Sequence, residues 1–329
     1  MRSAEPIRRS RVVHPPDQQS RREAAFSVTV RYDEPAGDQM YLRIRHATTY
    51  RYAEPVVFGP HRLMLRPRDS FDLRVIDTAI AISPQASLRW MHDAYGNPVA
   101  MASFAGASDT LEIVSELVIQ RFGSALPRTK VEPDIESSEI SYTPAERAVL
   151  QPYLDLAAAD PDGALDAWLQ AFRTRLNGGH LLRALAHEIY ASLHYAVRFD
   201  EGTQHPLDTL RMGAGSCRDY AWLFIELARR LGFAARFVTG YIHERSPEGA
   251  GMTSVAGLTH AWADVFIPND GWVEFDPTND LVADRQLLRV AVARVPEDAS
   301  PVAGSYVGPA GAFLGLSVGV AITPADGPG

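Results

Sequence analysis

An α+β chain is predicted, with a β-sandwich in front and helices leading into antiparallel strands behind. Three observations carry that expectation. From 41 to 122, short apolar runs of strand character alternate with turn clusters. Between about 143 and 230 the apolar residues fall at helical spacing, and after 235 a period-two alternation returns. At 329 residues the chain is long enough to bury two separate cores.

Residues 1–39 carry Arg8-Arg9, Arg21-Arg22, several prolines and little periodicity. No apolar run follows the paired arginines as an export signal would require, so a disordered extension is expected, with Met40 as the natural start. The sandwich spans 40–122. Its strands include Leu73–Ile82, Val99–Phe104 and Leu111–Ile119, with turns at Asp93–Pro98 and Gly106–Asp109. A linker with one helix occupies 123–161. The helix starts at Thr143-Pro144-Ala145-Glu146, where a hydroxyl cap, a first-turn proline and an acidic third residue coincide. A second compact region, 162–299, opens with helices near Asp162–Arg175 and Leu181–Tyr195. Strands near Ala235–Glu244, His260–Ile267 and Trp272–Asp276 complete it. The tail, 300–329, holds one more alternating run, Leu314–Ile322, that fits a final strand.

The chain has one cysteine, Cys217, in the string Gly213-Ala214-Gly215-Ser216-Cys217-Arg218-Asp219-Tyr220. Glycines give way to a periodic apolar stretch, so a loop enters a helix here. Ser216 with Asp219 three residues on reads as a capping-box-like start, which makes Cys217 the first helical residue. Unpaired N–H groups and the positive end of the helix dipole favour a thiolate at that point, with Arg218 beside it. The competing reading is a small buried hydrophobe, the ordinary fate of a free cysteine.

His260 opens the run Ala261-Trp262-Ala263-Asp264-Val265-Phe266-Ile267; the turn Pro268-Asn269-Asp270-Gly271 then leads into Trp272-Val273-Glu274-Phe275-Asp276. Such a pattern predicts an antiparallel hairpin. If Phe266 pairs with Trp272, His260 and Asp276 become diagonal neighbours on one face, with Cβ atoms within roughly 8 Å. A one-residue slip would put them on opposite faces. A nucleophile at a helix start, a base on a strand and an orienting carboxylate on the next strand follow the logic of Cys-His-Asp acyl transfer.

With Leu231-Gly232-Phe233-Ala234-Ala235-Arg236-Phe237-Val238-Thr239-Gly240-Tyr241 and the Gly271–Asn279 segment, these motifs resemble the transglutaminase-like core. The front half resembles the bacterial transglutaminase-like N-terminal domain through Tyr41–Tyr52, Leu63–Arg68 and Trp90–Asn97. Together the resemblances span about residues 40–285. They imply a papain-like cysteine hydrolase fold after the sandwich. They also imply a peptidase or amidase, with Cys217 as nucleophile, His260 as general base and acid, and Asp276 as orienter. Transfer to an amine in place of water stays open. The tail departs from the family pattern: Gln286 and Ala293-Arg294-Val295-Pro296 stand where a histidine and a Gly-Arg-Asp-Tyr segment are expected.

Other classes are less well supported. The net charge is −8 and no basic patch interleaved with aromatics occurs after residue 40, which argues against nucleic acid. Of 32 basic residues only Lys130 is a lysine, a bias of composition and not of binding. A single cysteine excludes an internal disulfide, and no run nears the roughly 18 apolar residues of a membrane span; a cytoplasmic location is expected. His180, His187 and His194 recur every seven residues on a predicted helix, two turns apart and too distant to share a metal. No calcium loop is recognisable, so no cofactor is expected. A peptide or protein substrate is the expected partner. A non-catalytic binding module on the same scaffold is the alternative, and Ser246–Gly257, polar and glycine-bearing, reads as a loop beside the site.

Overall fold

A computed structural model describes residues 40–122, 140–176, 181–198, 201–243, 255–257, 259–284 and 286–327. Residues 37–329 form one compact unit. The expected extension 1–39, most of the 127–142 connector, His180 and residues 246–254 of the polar loop lie outside the described residues.

The front region opens with a 19-residue strand, β1 (Met40–Phe58), whose buried and exposed positions alternate from Leu42 to His46. The strands β2 (His61–Leu63), β3 (Leu73–Ser83), β4 (Ala86–His92), β5 (Pro98–Phe104) and β6 (Ala107–Arg121) follow. β1 and β6 pair antiparallel from Met40↔Arg121 to Arg51↔Thr110, and β3 lies on the far side of β6. β2, β5 and β4 belong to a smaller sheet, completed by Val302–Ala303 pairing with β2. The two sheets share a core of Tyr52, Phe58, Leu63, Leu111 and Ile113 among others.

The helices come next: α1 (Pro144–Leu154), α2 (Ala164–Arg175) and α3 (Leu181–Ser192). α1 begins as its sequence dictates. Thr143 Oγ1 accepts from the Glu146 N–H at 3.2 Å while Glu146 Oε2 accepts from the Thr143 N–H at 2.9 Å. α3 stops at Ser192, earlier than its apolar periodicity suggests, and His194–Tyr195 is a short strand, β7. Tertiary pairing overrides helical propensity there: the His194 N–H donates to Gly213 O and the Ala196 N–H to Gly215 O. The proposed helical stripe of histidines therefore does not exist; His187 is on α3 and His194 is on β7.

After α4 (Pro206–Met212) and β8 (Ala214–Gly215) runs the central helix, α5 (Cys217–Arg230), buried from Asp219 to Arg229. It lies against a five-stranded sheet made of β9 (Ala235–Ile242), β11 (Thr259–Ile267), β12 (Gly271–Asp276), β13 (Leu281–Val282) and β14 (Leu287–Ala293), while β10 (Val255–Gly257) belongs to another sheet. Phe224 of α5 stacks on Phe275 of β12, with ring centroids 5.4 Å apart. Each such fully buried side chain contributes about 1.5–3 kcal/mol. At its far end α5 is clamped by Glu226 and Arg229. Glu226 accepts the N–H groups of Ala157 and Ala158, and Arg229 donates to Glu226, Ala235 O and Arg294 O.

The C-terminal segment supplies β15 (Val302–Ala303), β16 (Tyr306–Val307) and β17 (Phe313–Pro324). β17 pairs along β1 from Leu42↔Pro324 to Tyr52↔Phe313, so the sheet built on β1 contains strands from both ends of the chain. β10 adds to the outer side of β17, with Gly257 opposite Val320; the last three residues of the expected loop are thus strand. A second core, including Leu42, Ile44, Ile119, Tyr241, Leu288 and Ile322, joins this sheet to β9 and β14.

Candidate active site

The Gly213–Asp219 string owes its composition to a tight entry into α5. Gly213 ends α4 at φ +62°, a left-handed conformation that costs glycine least. At Gly215 a Cβ would stand 2.8 Å from Asp219 Cβ, so the loop packs on the helix only with glycine there. Ser216 is the N-cap and Cys217 the first helical residue. Asp219 Oδ2 accepts from both the N–H and the hydroxyl of Ser216 at 2.8 Å. Its Oδ1 accepts from the Gln204 N–H at 2.7 Å and from Arg198 at 2.8 Å. Burial raises the Asp219 carboxyl, but these four donors outweigh it and the group is held below the usual carboxylate range. Asp219 thereby ties the loop before α4 and the loop before α5 to one helix start.

The hairpin takes the register read from its alternation: Phe266 faces Trp272 and Ala263 faces Phe275. That register brings His260 Nε2 to 2.7 Å from Asp276 Oδ2, with Asp276 fully buried and His260 only 7 % exposed. The same oxygen accepts from Asn279 Nδ2 at 2.7 Å, and Oδ1 accepts from the Thr278 N–H at 3.0 Å. The carboxylate is oriented by the turn that follows its own strand. On the other side His260 stacks on Trp262, centroids 5.9 Å apart. Trp262 is itself fully buried, its indole N–H without a hydrogen-bond partner among the described residues. Gly240 makes room for it, since a Cβ there would overlap Leu288 O and the Trp262 ring.

Cys217 lies close enough to His260 to act on its charge. With Nε2 engaged by Asp276, Nδ1 is the ring nitrogen left for the sulfur. Burial disfavours the charged imidazole, but the Asp276 charge and hydrogen bond, reinforced by Cys217, push it up to about 10. Tyr195, paired through β7 with Gly215, stands in the electrostatic field of Cys217, Asp219 and Asp276. Burial raises its phenol first, and those neighbours raise it further.

All three residues singled out in the sequence thus converge. Asn279, Arg198 and Tyr195 were not singled out. Asn279 sits in a turn, where period-two reasoning stops, although its place three residues after Asp276 was the available signal. Tyr195 was assigned to a helix. Among the described residues no group of three or more His, Cys, Asp or Glu is arranged to hold a metal ion. His187 instead bonds Asp280 Oδ2 at 2.9 Å on the surface.

Residues 42–120 match the sequence profile of the bacterial transglutaminase-like N-terminal region, and residues 170–277 match that of the transglutaminase-like superfamily. An uncharacterized protein of Mycobacterium leprae is 26% identical over 272 residues, which are 81% of this chain and 93% of that protein. An uncharacterized protein of Mycobacterium tuberculosis is 28% identical over 294 residues, 84% of this chain and 91% of its own. Among solved structures, a candidate cysteine protease from Cytophaga hutchinsonii has the same fold with a TM-score of 0.65 at 19% identity, covering 89% of this chain and 93% of that one. The chain is a mixed α/β protein with a transglutaminase-like core.

Proposed function

We propose that this core is a thiol-dependent acyl-transfer enzyme that cleaves peptide or glutamine-type amides, with water as the ordinary acceptor. One observation carries the reading: the thiol at the first residue of a buried helix acts on the charge of an imidazole that a buried carboxylate holds at 2.7 Å. Cys217 Sγ attacks the substrate carbonyl carbon, forming a C–S bond and an oxyanion. The Cys217 N–H at the start of α5 donates to that oxyanion. His260 Nδ1–H gives its proton to the departing nitrogen as the C–N bond breaks, leaving a thioester. Neutral His260 then takes a proton from water, whose oxygen attacks the thioester; the acid leaves and the thiolate–imidazolium pair is restored. Asp276 keeps the ring in the tautomer that presents Nδ1 to sulfur and stabilises its charge, and Asn279 keeps Asp276 in line. The family profile over 170–277 supports the same assignment.

The test is the rate of Cys217 alkylation by iodoacetamide against pH, beside His260→Ala. With one cysteine in the chain, all labelling reports this site. A thiolate that reacts well below the free-cysteine pKa of about 8.5, and loses that reactivity in the variant, is the expected result. Ordinary thiol behaviour unchanged by the variant would turn the reading to a non-catalytic binding module.

A further inference from the structure

Among the described residues, the outer side of β17 is paired only at one end. β10 pairs with Val320, Ala321 and Ile322, and among the described residues no strand pairs with that side of 313–319. Edge strands are commonly blunted by charge, proline or brevity. This one is long and uncharged from Phe313 to Ile322, and Leu314, Leu316 and Val318 stand exposed along it, Leu314 at 66 %.

The position of this edge ties it to the chemistry. After Gly257 the chain leaves β17 and within three residues has become β11, at His260. Three residues span at most about 10 Å, and paired strands lie about 4.8 Å apart. Gly319, one residue beyond Val320, begins the free edge, which therefore starts roughly 18 Å or less from the His260 backbone.

We propose that the free edge of β17, residues 313–319, is a docking rail on which an extended segment of a polypeptide substrate adds as a further β-strand, in line with β10 and leading to Cys217. Backbone hydrogen bonds supply sequence-tolerant affinity, and alternate side chains meet Leu314, Leu316 and Val318. A folded globular surface has no free backbone to offer, so the class selected is unfolded or extended peptide of apolar character. β10 is the precedent: this edge accepts an antiparallel strand from its own chain. The proposal rests on the acyl-transfer reading of the site and adds to it how substrate arrives.

The test uses the full chain carrying Cys217→Ala and fluorescein-labelled casein, an unstructured polypeptide, with binding read by anisotropy. In that background Leu316→Lys with Val318→Lys is expected to weaken binding at least tenfold, and Leu314→Lys alone several-fold. With Cys217 restored, the same lysine variants should keep the wild-type rate and pH profile of iodoacetamide labelling. Equal binding by the lysine variants and their parent, or no binding by the parent, overturns the rail. So does a dimer of the parent that dissociates in the lysine variants while casein binding is unchanged, since the edge would then serve a second copy. Should the double variant fail to fold, Leu314→Lys decides. The acyl-transfer reading fails separately, through an ordinary thiol in the alkylation profile, whatever casein does.

Discussion

At the scale of single residues, the site depends on which group sets the proton on His260. The imidazole is buried, and burial alone would strip its charge; Asp276 reverses that and carries it to about 10. Asp276→Asn keeps the shape but removes the charge. The alkaline edge of turnover, where His260 loses the proton it gives to the leaving nitrogen, is expected near pH 10 in the parent and should move down toward the ordinary histidine value of about 6.5, with turnover reduced about 100-fold or more. Asn279→Ala removes one donor from the carboxylate and is expected to lower turnover about tenfold while moving that edge only slightly, consistent with roughly 1.4 kcal/mol lost at one charge-assisted bond. A pH–rate profile of both variants separates the two roles. Cys217, His260 and Asp276 were legible in the sequence because helix-start chemistry and period-two alternation are local rules. Asn279 lies beyond the end of the alternation, and Tyr195 comes into register with Gly215 only because the chain abandons a helix that its apolar spacing favours.

At the scale of elements, the thiol is only as well placed as the first turn of α5. Asp219 holds that turn through four donors, and the glycine before it allows the contact. Gly215→Ala should therefore push Asp219 away from Ser216. We expect a loss of about 1–3 kcal/mol of stability, typical of an added methyl in a packed site, with slower Cys217 alkylation in the fraction that stays folded. Urea unfolding and iodoacetamide labelling of the same sample measure the two effects; full stability with full reactivity would show that the loop yields freely. The capping signature of Ser216 and Asp219 was readable, and so was the hairpin register, since only one register buries Ala263, Val265 and Phe275 together against α5. The end of α3 and the short strand β10 were not readable, because each is made by partners far along the chain: Gly213 and Gly215 for the first, Val320–Ile322 for the second.

At the scale of the whole molecule, the β1 sheet is a support for the sheet that carries His260 and not an appendage. Reading 40–122 as a self-contained unit could not reveal this, since β17 comes from the last 20 residues and the shared core uses Tyr241, Leu288 and Val290 of the helix-backed region. His46 lies at that seam. It is buried, its Nδ1 3.0 Å from the Tyr241 hydroxyl and its Nε2 3.1 Å from Thr48 Oγ1, and burial pushes it down to about 4. Unfolded, it would titrate at about 6.5. Between those values only the unfolded chain takes up the proton, so stability falls as the pH drops from about 6.5 toward 4, by up to about 3 kcal/mol. His260 works on the other flank. Its pKa is raised on folding, so its contribution is complete below about 6.5 and is lost as the pH climbs through about 10. The two histidines together place the stability maximum contributed by them near pH 6.5, with seam opening on the acid side and loss of the His260 ion pair on the alkaline side. Urea midpoints from pH 4 to 10 should therefore trace a dome. His46→Gln should flatten only its acid flank, and Asp276→Asn only its alkaline flank. A variant that flattened both would mean that the seam and the His260–Asp276 pair open as one unit, and that β10 transmits the loosening of one sheet directly to His260 in the other.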